Sequence, residues 1–116
     1  MNILILGSTG FIGKNLVTRL KKENYNVFTC ERASGVDIRD YKQIYDKIAE
    51  VKPEVIYNLA SHGGSLHYVK EYSADVFNDN VQMALNLYRA VQEVSPTTKI
   101  IQPFSNCSYP GSSDVA

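Results

Sequence analysis

The chain has 116 residues, of which 44% are hydrophobic and 21% charged, a composition typical of one globular domain with a single core. Twelve basic residues balance twelve acidic ones, so no net positive charge favours nucleic acid as a partner. Because no apolar run approaches the length of a membrane span, no secretion signal begins the chain, and Cys30 and Cys107 suggest neither a disulfide nor a metal site, we expect a cytoplasmic protein with reduced thiols.

Segments of strand character alternate along the chain with segments of helical periodicity. Continuous apolar or β-branched runs predict strands at 2–6, 25–30, 54–60 and 99–104. Apolar residues at helical spacing predict a helix over 11–22, a second capped by Asp40 that runs to about Glu50, and a third capped by Ser73 that runs through Val94. The alternation predicts an α/β, Rossmann-type fold, in which a doubly wound parallel sheet of order 3-2-1-4 carries helices on both faces.

The strongest motif is the run Gly7-Ser8-Thr9-Gly10-Phe11-Ile12-Gly13, between the first strand and the first helix. Gly7 permits a tight turn, Gly10 lets a pyrophosphate approach the backbone, and Gly13 allows close helix packing, while the helix N-terminus attracts an anion. The spacing is GxxGxxG rather than the commoner GxGxxG, and a glycine-rich turn without a ligand is the alternative. A nucleotide-triphosphatase phosphate loop is excluded because Asn15 follows Lys14.

Charged residues after the second strand indicate which dinucleotide is bound. Glu31 lies where an acidic side chain accepts hydrogen bonds from the adenosine ribose hydroxyls, which favours NAD. Arg32 could instead pair with a 2′-phosphate, so NADP is possible, and a solvated charge pair is the alternative for both residues. Asp37 and Ile38 are predicted beside the adenine, where Asp37 accepts from the adenine amino group or simply forms a turn.

Six motifs together resemble the extended short-chain dehydrogenases, the family of nucleotide-sugar epimerases, dehydratases and reductases. GSTGFIG, the acidic end of the second strand, VDIRD, NLAS, NDNV and SNCSYP occur in the order typical of that family and cover the whole chain. The resemblance implies an NAD(P)-binding Rossmann domain, with a nucleotide sugar as the substrate of the whole enzyme.

The resemblance also implies roles for particular residues. The segment Leu59-Ala60-Ser61 lines the pyrophosphate and the nicotinamide ribose. Asn80 supports the active-site backbone from inside the long helix, where its alternative is a polar surface position. Ser105 matches the catalytic Ser or Thr that hydrogen-bonds a sugar oxygen during hydride transfer, although a lone serine is unreactive without an activating neighbour.

Cys107 and the pair Gly63-Gly64 are most similar to the GDP-fucose synthase branch of the family. There the cysteine is linked to epimerisation as an acid or base, and a small buried cysteine with a structural role is the alternative. His62 and His67 lie near the same loop and are assigned no role.

The YxxxK pair of the family, whose Lys lowers the pKa of the catalytic Tyr, does not occur in these 116 residues. We therefore expect an N-terminal fragment of an enzyme, truncated before the later strands and the C-terminal substrate lobe, with no turnover of its own. An unpaired strand edge and an uncovered apolar strip on the long helix would favour a homodimer or other self-association. The alternative is a stand-alone module that senses a dinucleotide or binds a partner without chemistry.

Overall fold

The computed structural model describes residues 1–105, in which four parallel strands form one sheet packed against helices. The strands are β1 (Asn2–Leu6), β2 (Asn26–Cys30), β3 (Val55–Asn58) and β4 (Lys99–Ile101). The helices are α1 (Phe11–Lys22), α2 (Tyr41–Val51), α3 (Leu66–Glu71) and α4 (Ser73–Val94). This arrangement confirms the predicted fold class.

The order of the strands differs from the predicted 3-2-1-4. β1 pairs with β2 on one side and with β3 on the other, and β4 lies beyond β3, which gives the order β2-β1-β3-β4. After β2 the chain forms a 3₁₀ turn at Arg32–Ser34 and a loop, and within residues 1–105 no strand pairs with the outer edge of β2. The next strand therefore pairs with the free edge of β1, and the direction of winding reverses between β1 and β3.

Two apolar layers cover the two faces of the sheet. Ile3 and Ile5 of β1 pack toward one layer, to which α1 contributes Leu20. Leu4 and Leu6 point to the opposite layer, where α2 and α4 contribute the buried side chains Ile44, Ile48, Leu87, Ala90 and Val91. Helices thus lie on both faces, as predicted, because right-handed crossovers that run in opposite directions from β1 place their helices on opposite faces. No helix within residues 1–105 is long and apolar enough to cross a membrane.

The two predicted helix caps have different outcomes. The Asp40 carboxylate accepts from the Gln43 N–H at 3.3 Å and caps α2, as predicted. Ser73 is not a cap but the first residue of α4, because the unpredicted helix α3 ends at Glu71 and the single residue between the two helices, Tyr72, takes the cap position. α3 itself is capped by Ser65, whose hydroxyl accepts from the Tyr68 N–H at 3.2 Å.

Candidate functional site

The turn between β1 and α1 places the glycine motif at the carboxyl edge of the sheet. Gly7 has a φ of +78°, which glycine adopts without strain. The Gly10 N–H donates to the carbonyl of Gly7 at 3.3 Å, and Gly10 is the N-cap of α1. Because glycine has no side chain that could cap a helix, the first N–H groups of α1 and the positive end of its dipole can serve an anion.

The three glycines have different structural reasons. A Cβ at Gly7 would lie 2.6 Å from the carbonyl carbon of Leu59, and one at Gly13 would lie 2.2 Å from the carbonyl oxygen of Gly7. Both positions therefore require glycine for packing inside the fold. A Cβ at Gly10 would meet its nearest neighbour among residues 1–105, the Gly7 oxygen, at an ordinary 3.6 Å. Packing does not require glycine at position 10, and the space beside it is open to a ligand.

A cleft of about 550 Å³ opens beside this turn, at the carboxyl ends of β1, β2 and β3. It lies where the direction of winding reverses, the place where open α/β sheets bind ligands. Most residues predicted to contact a cofactor line this cleft: Gly7, Thr9, Gly10, Glu31, Arg32, Asp37, Ile38, Leu59, Ala60 and Ser61.

Four of the predicted cofactor residues do not line the cleft. Phe11 and Ile12, in the first turn of α1, leave 83% and 63% of their surface exposed. Gly13 is packed against the backbone of Gly7, and Asn80 lies behind the cleft wall, on α4. Gly13 and Asn80 therefore support the backbone that forms the cleft wall without lining the cleft themselves.

Glu31 and Arg32 lie together at the end of β2. The Ser8 hydroxyl, which is buried, donates to Oε2 of Glu31 and so ties this carboxylate to the glycine turn. Arg32 begins the 3₁₀ turn, and no ion-pair partner for it occurs in the part of the chain that the structure describes. Glu31 can accept from ribose hydroxyls and Arg32 can pair with a phosphate, so the geometry is compatible with either dinucleotide.

Asp37 is engaged by Arg39 from its own loop. Its carboxylate accepts from the Arg39 guanidinium at 2.8 Å and from the Arg39 backbone N–H at 3.0 Å. The guanidinium hydrogen bond holds the pKa of Asp37 below its usual range, and the carboxylate in turn raises the pKa of Arg39. The turn-forming role of Asp37 is therefore present, and its contact with an adenine stays a prediction.

Asn80 holds the backbone of His62, the residue that follows the 59–61 segment. Its Oδ1 accepts from the His62 N–H at 2.8 Å, while its Nδ2 donates to the His62 carbonyl at 2.8 Å. The same Nδ2 reaches the Val76 carbonyl one turn earlier in α4. Asn80 thus fixes the loop after β3 from its position in α4, and its support of an active-site backbone stays a prediction.

The side chain of His62 is held at both ring nitrogens. Nδ1 lies 2.9 Å from Oδ2 of Asp79, and Nε2 lies 2.7 Å from the Tyr68 hydroxyl. Because a carboxylate only accepts, Nδ1 carries the proton that it donates to Asp79, while the Tyr68 hydroxyl, which can donate or accept, pairs with Nε2. The ring of His62 therefore braces the cleft wall.

The predicted catalytic residues follow β4. Ser105 is exposed and does not line the cleft formed by residues 1–105. Cys107 lies outside the described residues. Their catalytic roles stay predictions.

Several further residues line the cleft for which the sequence predicted no cofactor contact: Cys30, Val36, Arg39, His62, Gly63, Asp79 and Met83. Arg39 lies within VDIRD and Asp79 within NDNV, so the motifs contained them without revealing that they meet. One usable signal was position, because polar residues that follow parallel strands gather at one edge of the sheet. That rule selects His62 but not Asp79, which lies on a helix.

Two curated relatives resemble the chain over nearly its whole length. GDP-L-colitose synthase of Yersinia pseudotuberculosis is 28% identical over 114 residues, which cover 98% of this chain and 36% of that protein. GDP-L-fucose synthase of Azorhizobium caulinodans is 25% identical over 108 residues, which cover 93% of this chain and 34% of that protein. The chain thus spans about a third of the length of these relatives.

Solved structures share the fold. A GDP-L-fucose synthetase from Naegleria fowleri bound to NADP superposes with a TM-score of 0.79 at 24% identity, over 96% of this chain and 32% of that one. The UDP-glucose 4-epimerase of Thermus thermophilus, in complex with NAD, has a TM-score of 0.74 at 23% identity, over 81% of this chain and 34% of that one.

A family model confirms the resemblance that the motifs carry. Residues 3–115 match the NAD dependent epimerase/dehydratase family. The cofactor of this family is a nicotinamide dinucleotide, as the motifs indicated. Since this match extends over nearly the whole sequence, the chain belongs to the NAD dependent epimerase/dehydratase family.

Proposed function

We propose that this chain forms the dinucleotide-binding part of an enzyme that uses NAD(P) to oxidise or reduce a nucleotide-linked sugar. The observation that carries the proposal is the cleft at the winding reversal, where the open backbone of Gly10, the carboxylate of Glu31 and the 59–61 segment face one space. An elongated molecule with a central pyrophosphate and a ribose on each side matches that layout.

Each part of the cofactor has a place in the cleft. The pyrophosphate lies against Gly10 at the N-terminus of α1, and the adenosine ribose hydroxyls donate to Glu31. The adenine lies beside Asp37 and Ile38, and the nicotinamide ribose lies along the 59–61 segment. The bound cofactor supplies the hydride acceptor or donor, while the residues of this chain bind and orient it.

The relatives favour a substrate class to be tested first. The names of both curated relatives describe enzymes of GDP-linked sugars, so we infer that a GDP-linked sugar is the substrate of the whole enzyme. Ser105 would hydrogen-bond a sugar oxygen, and Cys107 is a candidate acid or base for an epimerisation. Because the 116 residues contain no YxxxK pair, we expect this chain alone to convert no nucleotide sugar.

The test is calorimetric titration of the purified chain with NAD and NADP, in the wild type and in Gly10→Asp and Gly10→Asn. Asp and Asn both cap helices well, so both variants should keep α1. The Asp variant places a negative charge where the pyrophosphate would lie, and we expect its affinity to fall at least tenfold below that of the matched Asn variant, a difference of about 1.4 kcal/mol. We expect NAD to bind more tightly than NADP because Glu31 repels a 2′-phosphate.

Other outcomes would change the conclusion. A folded wild-type chain that binds neither dinucleotide would contradict the proposal, as would equal affinities of the Asp and Asn variants. If the chain binds a dinucleotide and also converts GDP-sugars, the expected lack of turnover is wrong. If it binds a dinucleotide but extending the reading frame adds no YxxxK pair, the stand-alone binding module becomes the better description.

A further inference from the structure

A series of polar side chains connects the two walls of the cleft through α4. Oδ2 of Asp79 accepts from the Arg39 guanidinium at 3.3 Å and lies 2.9 Å from Nδ1 of His62. Arg39 belongs to the loop between β2 and α2, whereas His62 belongs to the loop after β3. One carboxylate oxygen therefore bridges two loops that are distant in the sequence and follow strands on opposite sides of β1 in the sheet.

The contacts beyond Asp79 extend this connection on both sides. On one side, the Arg39 guanidinium also donates to the Asp37 carboxylate at 2.8 Å. On the other side, Nε2 of His62 lies 2.7 Å from the hydroxyl of Tyr68 in α3, while Asn80 holds the backbone of the same histidine. Both loops thus depend on two consecutive residues of α4.

Partial burial makes these contacts more than surface ion pairs. The side chain of Asp79 is 20% exposed, that of His62 27% and that of Arg39 38%, so water screens these contacts less than it screens the more exposed pairs elsewhere on the helices. The Asp79 carboxylate also fixes the directions from which Arg39 and His62 approach it, because each donor must approach a separate lone pair.

We propose that Asp79 is a positioning residue that sets the separation of the two cleft walls and thereby the affinity for a whole dinucleotide. The inference rests on the proposed function, in which the Arg39 loop contacts the adenine half and the His62 loop contacts the nicotinamide half. A ligand that spans both loops benefits from their fixed spacing, whereas a ligand that occupies one loop does not. Asp79 acts through Arg39 and His62 in this role.

The binding test compares Asp79→Asn with Asp75→Asn in the full 116-residue chain. Asp75 is an exposed acid one turn earlier in α4, so its variant removes the same charge from the same helix without touching the cleft. Calorimetry would measure affinity for NAD and for AMP, which is the adenine half alone. We expect Asp79→Asn to weaken NAD roughly tenfold and AMP less than about threefold, and Asp75→Asn to change neither.

The outcome for each half of the ligand decides the inference. Unchanged NAD affinity in Asp79→Asn would overturn it, and so would equal losses for NAD and AMP, since a merely structural role would weaken both alike. A wild-type chain that binds no dinucleotide would instead count against the proposed function.

A second measurement tests, without any ligand, whether Asp79 couples the Arg39 loop to the His62 loop. In amide nitrogen–proton correlation spectra, Asp79→Asn should shift signals from both loops, those of residues 36–39 and those of residues 60–63, whereas Asp75→Asn should leave both sets in place. Shifts confined to one loop would show that Asp79 does not couple the walls and would overturn the inference, even where the proposed function holds.

Discussion

Cys30 shows how burial sets the chemistry of a side chain beside the cleft. It ends β2 with no exposed surface. Burial raises the pKa of its thiol to about 11, with a smaller opposing effect from Lys47. Because the thiolate is the reactive form of cysteine, Cys30 is inert at neutral pH, and its place in the cleft lining is one of packing.

This raised pKa predicts a loss of stability in alkali. The ordinary pKa of a cysteine thiol is 9.0, so below that pH the folded and the unfolded chain both keep the proton and the contribution of Cys30 to stability is complete. It then falls as the pH rises toward the folded pKa of about 11, because only the unfolded state has released the proton. We expect the wild type to lose roughly 2–3 kcal/mol more than Cys30→Ala between these limits, measured by urea unfolding at a series of pH values. Parallel pH profiles for the two proteins would contradict this expectation.

Each glycine of the motif between β1 and α1 has its own structural role. Gly7 and Gly13 are needed where a Cβ would collide with backbone, and Gly10 is the position left open to a ligand. The sequence predicted a tight turn at Gly7, the approach of a pyrophosphate at Gly10 and close helix packing at Gly13, because these three tasks recur wherever a strand leads into a phosphate-binding helix. It could not predict that the wall facing Gly7 would be the backbone of Leu59, since that contact depends on which strand pairs with β1.

At the scale of elements, α2 depends on a capping arrangement at its first turn. The Asp40 carboxylate accepts from the Gln43 N–H, and the Gln43 amide in turn donates to the same carboxylate at 3.3 Å. α2 packs its buried residues Ile44 and Ile48 against the main core, so fraying of its N-terminus would loosen that layer. The cap also lies next to the loop that carries Arg39 to the cleft.

Replacing Asp40 should therefore destabilise the fold. We expect Asp40→Ala to lower the free energy of unfolding by about 1 kcal/mol, because it leaves the Gln43 N–H in the first turn without its side-chain partner. The matched control is Asp46→Ala, which removes an exposed ion pair with Lys42 on the same helix and should cost at most about 0.5 kcal/mol. Chemical unfolding of both variants measures the two losses in the free energy of unfolding. Equal losses would show that the cap contributes no more than a surface charge.

Elements with strong periodicity were predicted well, and short ones were not. α1 has the predicted bounds, whereas α3, with six residues, was missed because so short a helix has too few turns to show a pattern. β3 and β4 are shorter than their apolar runs. A run of apolar residues records burial, and a strand ends where its neighbour stops pairing.

At the scale of the whole molecule, α4 presents an apolar stripe that the described residues leave uncovered. Phe77, Val81, Leu85 and Tyr88 follow helical spacing on one face and remain 72%, 37%, 62% and 46% exposed. The opposite side of the helix packs Leu87 and Ala90 into the core. β4 also forms an edge of the sheet within residues 1–105. Such surfaces favour association with other chains.

We therefore expect the isolated chain to self-associate as its concentration rises. Replacing Phe77 and Leu85 together by Ser should shift the chain toward monomer, because it removes the two most exposed apolar side chains of the stripe. Sedimentation velocity over a concentration series would measure this shift. Leu66→Ser removes an even more exposed side chain from α3 and serves as the control. A wild-type chain that stays monomeric throughout would contradict the expectation.

The sequence by itself determined the fold class, the three main helices, the glycine turn and the charged end of β2, because each follows from local periodicity or from a motif within a few residues. The tertiary structure decided that β3 pairs with the free edge of β1, and hence which loops face each other across the cleft. It also decided that Arg39 and His62 share the carboxylate of Asp79. Contacts between distant residues arise from crossover direction and helix packing, which no local pattern encodes.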